Sequence, residues 1–384
     1  MHRLLLLLCS LGCPCLKTAR SSEQPDISSH PPPPSGPGLV LWATGVWDSG
    51  GMGGPVVHPP SPADGALHVW KMWYYGCPSA DSNESLSCPG GIPYGSVGMA
   101  TSGDGLHWQP FGRVFTASSV VGTFDESRVA VGAVVRLPDE LAQRPGELAM
   151  YYFGSGSGPH AMPTIGLARS EDGGESWARV SGEAASNAVL WPEAAVEGAL
   201  AVTQPHVLVL NGSRLRMYYV ALHMASDHSF HFALWQAESS DALHWGSKQQ
   251  LRVAHSLGLG IGSLGLLPRP DGELVVMAGW ELPEERDSIG VLLGDLNDTF
   301  FEPPRGEEHH LALMPSGAAN SWDTFAVGCP FPLVYRGSLY VYFNGFERPN
   351  AKGQARSSIG LAVATNTSAY FDLKRVVLTG LIAV

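Results

Sequence analysis

The sequence predicts an all-β chain folded as a five-bladed β-propeller of four-stranded antiparallel blades, and three observations carry that expectation. A turn motif recurs at a nearly constant step: Ser102-Gly-Asp-Gly-Leu-His-Trp108, Ser170-Glu-Asp-Gly-Gly-Glu-Ser-Trp177 and Ser239-Ser-Asp-Ala-Leu-His-Trp245, its tryptophans 69 and then 68 residues apart. Each copy follows a strand of small apolar residues (SVGMATS, TIGLARS, ALWQAES), itself preceded by a tyrosine-rich strand (WKMWYYG, LAMYYFG, LRMYYVA), and degenerate copies of the same order occupy 274–301 and 339–373. Finally, 46 glycines and 30 prolines in 384 residues punctuate the chain too often for a helical bundle.

The elements follow in chain order. Met1-His2-Arg3 and the apolar stretch from Leu4 to Leu11 have the charge and length of a signal peptide, far short of the ~18–20 apolar residues of a membrane helix. Residues 1–20 are therefore expected to direct secretion, with cleavage between Cys15 and Ala19. A plastid or mitochondrial transit peptide is the alternative, because Lys17, Arg20 and Ser21-Ser22 follow and no acid precedes Glu23. Residues 21–38, ending in SSHPPPPSGPG, read as a Pro-rich linker. Residues 39–384 then divide into five units of about 69 residues, one per blade. Each unit opens with a further apolar strand, at Pro55, Val131, Pro205, Leu264 and Pro330, and the fourth segments of the last two units are read as TFFE and YFDL. A four-stranded sheet cannot hide both faces alone; stacking five around an axis covers them and leaves only short edges.

Charge and motif content bound the function. Lys and Arg number 23 against 35 Asp and Glu, a net charge of −12, with no basic run to neutralise a phosphate backbone. Nucleic acid is disfavoured, and an oligo- or polysaccharide partner fits. A monomer is expected. The sequence holds no glycine-rich phosphate loop and no paired-cysteine metal site, so no cofactor or metal is expected. His223, Asp227, His228 and His231 crowd one loop, but their irregular spacing favours sugar hydrogen bonding or plain exposure over metal binding. Cys77 and Cys88 flank a polar loop as a candidate disulfide, leaving Cys329 odd. Asn83, Asn211, Asn297 and Asn366 head Asn-x-Ser/Thr triplets, N-glycosylation acceptors on a secretory route.

In a propeller, the loops entering the first strands and the loops joining second to third strands share one face. The second-to-third loops, 76–94, 154–163, 221–230, 281–288 and 344–356, are long and irregular, which marks that face for binding. The entering loops carry acids: Trp47-Asp48, Phe124-Asp125, Val196-Glu197 and Trp322-Asp323. Carboxylates gathered at a central cavity suit glycoside cleavage, where one protonates the leaving oxygen and another acts at the anomeric carbon or on a water. Trp47 and Trp322 would offer stacking faces, and Arg128 and His206 polar contacts. Against this stands a scaffold reading, since an acid repeated from blade to blade often caps a turn.

With these patterns in view, the strand sequences Trp-Asp-x-Gly-Gly-Met-Gly-Gly-Pro-Val-Val and Trp-Asp-Thr-Phe-Ala-Val-Gly-Cys-Pro-Phe-Pro-Leu-Val, followed by MYY-G, IGLA-S and DG-W segments, resemble the five-bladed propeller of glycoside hydrolase family 43. The likeness extends to its invertase/levansucrase, arabinanase and mannoside phosphorylase relatives and covers roughly residues 40–384. The resemblance implies Asp48 as base, Asp125 as orienting carboxylate and Glu197 as acid, with Asp323 a further candidate. It departs at two places: the family's blade-one Asp directly precedes the strand's proline, where this chain has Gly54, and its blade-three Glu lies two residues before a proline, where this chain has Thr203. A non-catalytic propeller that binds a glycan or a protein is the competing expectation. The form Ser170 to Trp177 also resembles the Asp-box of sialidases, a turn-stabilising element that implies propeller architecture and not sialidase chemistry.

Overall fold

The computed structural model describes residues 34–61, 69–79, 95–156, 162–182, 186–193, 198–225, 227, 229–254, 260–280, 287–304, 311–349 and 355–378. Four antiparallel sheets of four strands follow one another in chain order. Blade 1 comprises Gly51–His58, Trp70–Cys77, Ser96–Ser102 and Trp108–Phe115; blade 2 comprises Arg128–Arg136, Leu148–Ser155, Thr164–Ser170 and Ala178–Val180. Blade 3 comprises Ala199–Asn211, Arg214–Met224, Phe230–Ser239 and Gly246–Gln250; blade 4 comprises Ile261–Pro268, Glu273–Trp280, Ser288–Asp295 and Leu311–Leu313. Blade 5 takes Ala326–Tyr335, Ser338–Phe346 and Ser357–Ala364 from the C-terminal part of the chain, and its outer strand, Leu39–Leu41, from the N-terminal part.

That exchange closes the ring, and the structure corrects three sequence expectations. YFDL is no strand; Lys374–Arg375, just beyond it, pairs with Ser357–Ala364 beside Leu39–Leu41. The end of the expected linker belongs to the propeller, because Ser35 bridges Ser321, the Gly38 N–H donates to the Val376 carbonyl at 2.6 Å, and the Pro37 carbonyl accepts the Trp322 indole at 3.1 Å. In blade 4, the fourth place falls to Leu311–Leu313, while Phe300–Phe301 pairs in parallel with Arg252–Val253 and ties blades 3 and 4 together.

The second and third strands are buried almost throughout, which is why they read as unbroken apolar runs rather than alternating ones. Four of the five apolar clusters span one pair of neighbouring blades, and the fifth, between blades 2 and 3, also takes in Tyr75 of blade 1. Trp73, Val97 and Met99 of blade 1, for example, meet Val131, Met150 and Tyr152 of blade 2. A buried Val, Leu or Phe contributes roughly 1.5–3 kcal/mol through such burial. The repeated turn adds a polar bolt between blades. Its left-handed residue, Gly105, Gly174 or Ala242, turns a carbonyl toward the previous blade, where Tyr342, Trp73 and Tyr151 respectively donate at 2.7, 3.0 and 2.8 Å. Within the turns Asp104, Asp172 and Asp241 accept backbone N–H groups. Burial works against their ionisation, yet these bonds outweigh it and hold the three carboxyls low, Asp172 at about 2.

Candidate functional site

The acids at the blade entrances occupy equivalent places. Asp48, Asp125 and Asp323 are 1, 1 and 0 % exposed, and each stands seven residues before the Pro or Gly of its first strand. Each also lies against a second-strand glycine: a side chain at Gly76, Gly154 or Gly345 would come within 2.9, 2.9 or 2.5 Å of the corresponding aspartate Cβ. The preceding aromatic lies over the second-strand ring of its own blade. Trp47 stacks on Tyr74 and Phe124 on Tyr152, and Trp322 packs on Phe343, with centroids 5.8, 5.6 and 5.4 Å apart. The repeated glycines of WYYG, YYFG and FNG, together with Gly98, Gly166 and Gly360 of the third strands, are the space these groups require.

Their charge environments differ. Asp125 accepts from Arg179 Nε at 2.7 Å and from the Tyr152 hydroxyl at 2.9 Å; Asp323 accepts from Arg375 Nε at 2.6 Å and from Ser321 Oγ at 2.7 Å. Both arginines come from outer strands of the blade and also donate to a carbonyl of the entering loop, Thr116 or Met314. Among the described residues Asp48 has no such partner. Its acceptor bonds come from backbone N–H groups, Gly45 at 2.9 Å among them, and burial raises its carboxyl to about 6 against their opposing effect.

The axis is built differently. Three first strands share a two-residue bulge, a left-handed residue followed by proline: Gly54-Pro55, Gln204-Pro205 and Cys329-Pro330, at φ +58, +53 and +46°. These bulges seat one blade on the next. Pro205 fills the place a side chain would need at Gly132, and Pro330 does the same at Gly265. In blade 1, Gly54 leaves room for the Tyr75 ring, 2.2 Å from where a Cβ would stand. The Tyr75 hydroxyl lies 3.3 Å from Cys329 Sγ and accepts from Asn344 Nδ2 at 3.1 Å; Asn344 Oδ1 accepts the Gly54 N–H at 2.8 Å, and Ser263 Oγ accepts the Cys329 N–H at 2.9 Å. Blades 1, 4 and 5 are thereby joined through neutral groups. Arg128, Thr203, Gln204, His206, Cys329 and Phe331 retain partial exposure on the first strands. The His206 ring lies 6.3 Å from that of Phe331, and desolvation lowers its pKa to about 4.

The remaining sequence candidates fall as follows. Trp47 is partly exposed, whereas Trp322 is buried with its indole N–H on the Pro37 carbonyl, so its ring faces are taken by the protein itself. Glu197, Cys88, Asn83 and His228 lie outside the described residues. Cys77 is disulfide-bonded, and Cys329 is not. Asn211, Asn297 and Asn366 are exposed. His223 and His231 stack as a cross-strand pair at 5.0 Å, and Asp227 turns back to accept Ser229. Sequence reading missed Arg179, Arg375, Tyr75, Gln204, Asn344 and Ser263. The seven-residue spacing from acid to Pro or Gly was the available signal for the entrance motif; nothing local pairs Arg179 with an acid 54 positions earlier.

Neither a family model nor a curated protein matches the chain. Among solved structures, the chain is similar to a thermostable family-43 glycoside hydrolase (TM-score 0.59, 13 % identity, covering 86 % of this chain and 96 % of that one). It is also similar to a second glycoside hydrolase (0.58, 17 %, 86 % and 92 %) and to the GH93 α-L-arabinofuranosidase of Fusarium graminearum in complex with arabinobiose (0.53, 12 %, 85 % and 97 %). At such identities the likeness is one of fold: the chain has the five-bladed propeller architecture of these glycoside hydrolases.

Proposed function

We propose that the protein is a glycosidase-like propeller that recognises a neutral saccharide at its axis without cleaving it. The observation that carries this reading is the chemistry of the axial positions. The left-handed, pre-proline residues of blades 1, 3 and 5 are glycine, glutamine and cysteine, while two of the entrance acids are bound to arginines of the outer strands. A carboxylate whose oxygens already accept a guanidinium and a hydroxyl is engaged by the protein itself and is not free to attack a sugar or activate a water. The His206 imidazole near Phe331, with the partly exposed Thr203 and Gln204 of the same strand, suits hydrogen bonding to sugar hydroxyls over an apolar ring face. The arabinobiose held by the GH93 neighbour supports the ligand class, and secretion with N-glycosylation at the exposed Asn211, Asn297 and Asn366 belongs to the same reading.

The test is to titrate the purified protein with arabino-, xylo- and fructo-oligosaccharides by calorimetry while assaying sugar release from the matching polymers and from aryl glycosides. Binding without release is expected, and Gln204→Ala should weaken it about tenfold, the loss of one well-formed polar contact. Sustained release would overturn the non-catalytic part of the proposal; absence of any saccharide binding would overturn the rest. A second reading is cleavage with Asp48 as base or nucleophile, Glu197 as acid, Asp125 as the orienting carboxylate and Asp323 as a further candidate; it is favoured by Asp48, a buried carboxylate that, unlike Asp125 and Asp323, has no arginine partner among the described residues. On that reading Asp48→Asn and Glu197→Gln each abolish release in a folded protein.

A further inference from the structure

Among the described residues, blades 3 and 4 are joined in a way the other blades are not. At its far end the outer strand of blade 3 leaves its own sheet. The Leu251 N–H donates to the Leu234 carbonyl of blade 3 at 2.8 Å, but the Arg252 N–H donates to the Thr299 carbonyl at 2.7 Å and the Ala254 N–H to the Phe301 carbonyl at 2.8 Å. The result is the parallel pair of Arg252–Val253 with Phe300–Phe301, the one two-stranded sheet among the described residues. Beside this crossing strand, between the third strand of blade 3 and the start of blade 4, lies a cleft of about 450 Å³.

Phe232, Leu234, Ile261 and Trp280 give the cleft apolar walls, and the exposed Gln250 and Arg252 bring it polar groups. Among the described residues no Asp or Glu lines it, and Arg252 makes no ion pair; its guanidinium lies 5.7 Å over the Phe300 ring. In a chain of net charge −12, an exposed guanidinium with no carboxylate beside it favours an anion. A second observation comes from Trp280, 1 % exposed. The indole N–H groups of Trp73, Trp108, Trp177 and Trp322 each donate to a carbonyl, at 3.0, 3.1, 3.1 and 3.1 Å. Three buried indole N–H groups, those of Trp235, Trp245 and Trp280, find no acceptor among the described residues, and of these three residues Trp280 borders the cleft. A buried donor without an acceptor is a cost that a ligand oxygen removes.

We propose that the cleft between blades 3 and 4 binds a small aromatic carboxylate, its ring against the apolar walls and its carboxylate on Arg252. The planar guanidinium matches a carboxylate with two parallel hydrogen bonds, which selects the charged group. Phe232 and Trp280 select the body, because aromatic walls pair with a ring through stacked or edge-to-face contacts that an alkyl chain does not make. An apolar space of this size with a few polar groups is the ordinary form of a small-molecule site. An oxygen of the ligand, or a water ordered with it, accepts the Trp280 N–H. The cleft is bordered by the outer strand of blade 3, away from the axis, and the proposal is independent of the saccharide reading.

Calorimetric titration of the whole protein with cinnamate, cinnamamide and octanoate at constant ionic strength tests this. Cinnamate should bind saturably, one per chain, with cinnamamide and octanoate each about tenfold weaker. Arg252→Gln should bring cinnamate down to the level of the amide while leaving the amide unchanged, a pattern that general loosening of the fold does not produce. Trp280→Phe keeps an aromatic wall without the N–H and should weaken cinnamate about fivefold. No saturable binding of cinnamate, equal affinity for cinnamate and its amide, or cinnamate binding unchanged in Arg252→Gln would overturn the proposal. Octanoate bound as tightly as cinnamate would overturn the aromatic class. Should Trp280→Phe fold poorly, Arg252→Gln decides alone, since its side chain is exposed and carries no ion pair with the described residues.

Discussion

His206 shows how one side chain registers the ring around it. Its sequence context, directly after Pro205 in a first strand, marks it as facing either the packing or the axis, and the structure places it at the axis beside Phe331. Removal from water penalises the imidazolium and lowers the folded-state pKa from 6.5 to about 4. The sign of the linkage follows. Between these values the unfolded chain takes up a proton that the folded protein refuses, so the neutral histidine favours folding fully above pH 6.5, and that contribution is lost as pH falls toward 4. Urea midpoints measured from about pH 7.5 to 4 should decline more steeply in wild type than in His206→Gln. Parallel curves would show that the imidazole stays hydrated and charges freely at the axis.

At the scale of the element, the entrance motif explains why the outer strand of a propeller blade, the least buried of the four, stays in place. Ala178–Val180 makes only a short ladder, and its burial pattern is mostly exposed. What secures it is Arg179, which passes from that strand to Asp125 and to the Thr116 carbonyl and lies over the Phe115 ring at 4.2 Å. Replacing Arg179 by Met keeps much of the packing but leaves a buried carboxylate without its cation, a loss of about 3 kcal/mol, since the guanidinium itself is partly exposed. Adding Asp125→Asn should restore most of that loss in a double-mutant cycle by chemical denaturation. A double mutant no more stable than Arg179→Met alone would mean that the strand is held by its ladder and ring contact instead.

For the whole molecule, the decisive contact joins chain segments more than 300 residues apart. Leu39–Leu41 supplies the outer strand of blade 5, and residues 35–38 seat against Ser321, Trp322 and Arg375. A chain beginning at Pro34 should therefore melt as one cooperative unit, whereas one beginning at Thr44 lacks the strand that closes the ring. The shorter form is expected to lose cooperative unfolding by calorimetry and to expose blade 5 to proteolysis. Equal melting of the two would mean that Lys374–Arg375 alone can serve as the closing strand.

The number of blades, the strand order within the first three and the turn that links neighbours were legible in the sequence, because a repeat imposes the same local demands in successive units: a tyrosine-rich buried strand, a small-residue strand beneath an aromatic ring, a left-handed turn. Spacing also found Asp48, Asp125 and Asp323. Spacing could not say what charge each would meet. Arg179 reaches Asp125 from an outer strand, while the acceptor bonds of Asp48 among the described residues come from backbone N–H groups, and only the folded structure reveals that difference. The identity of the axial groups was hidden for the same reason, since Gly54, Gln204 and Cys329 acquire a shared role only when three distant strands meet with the same bulge. Local chemistry writes the blade; closure of the ring, a property of no single segment, decides which side chains become neighbours and which charges go unanswered.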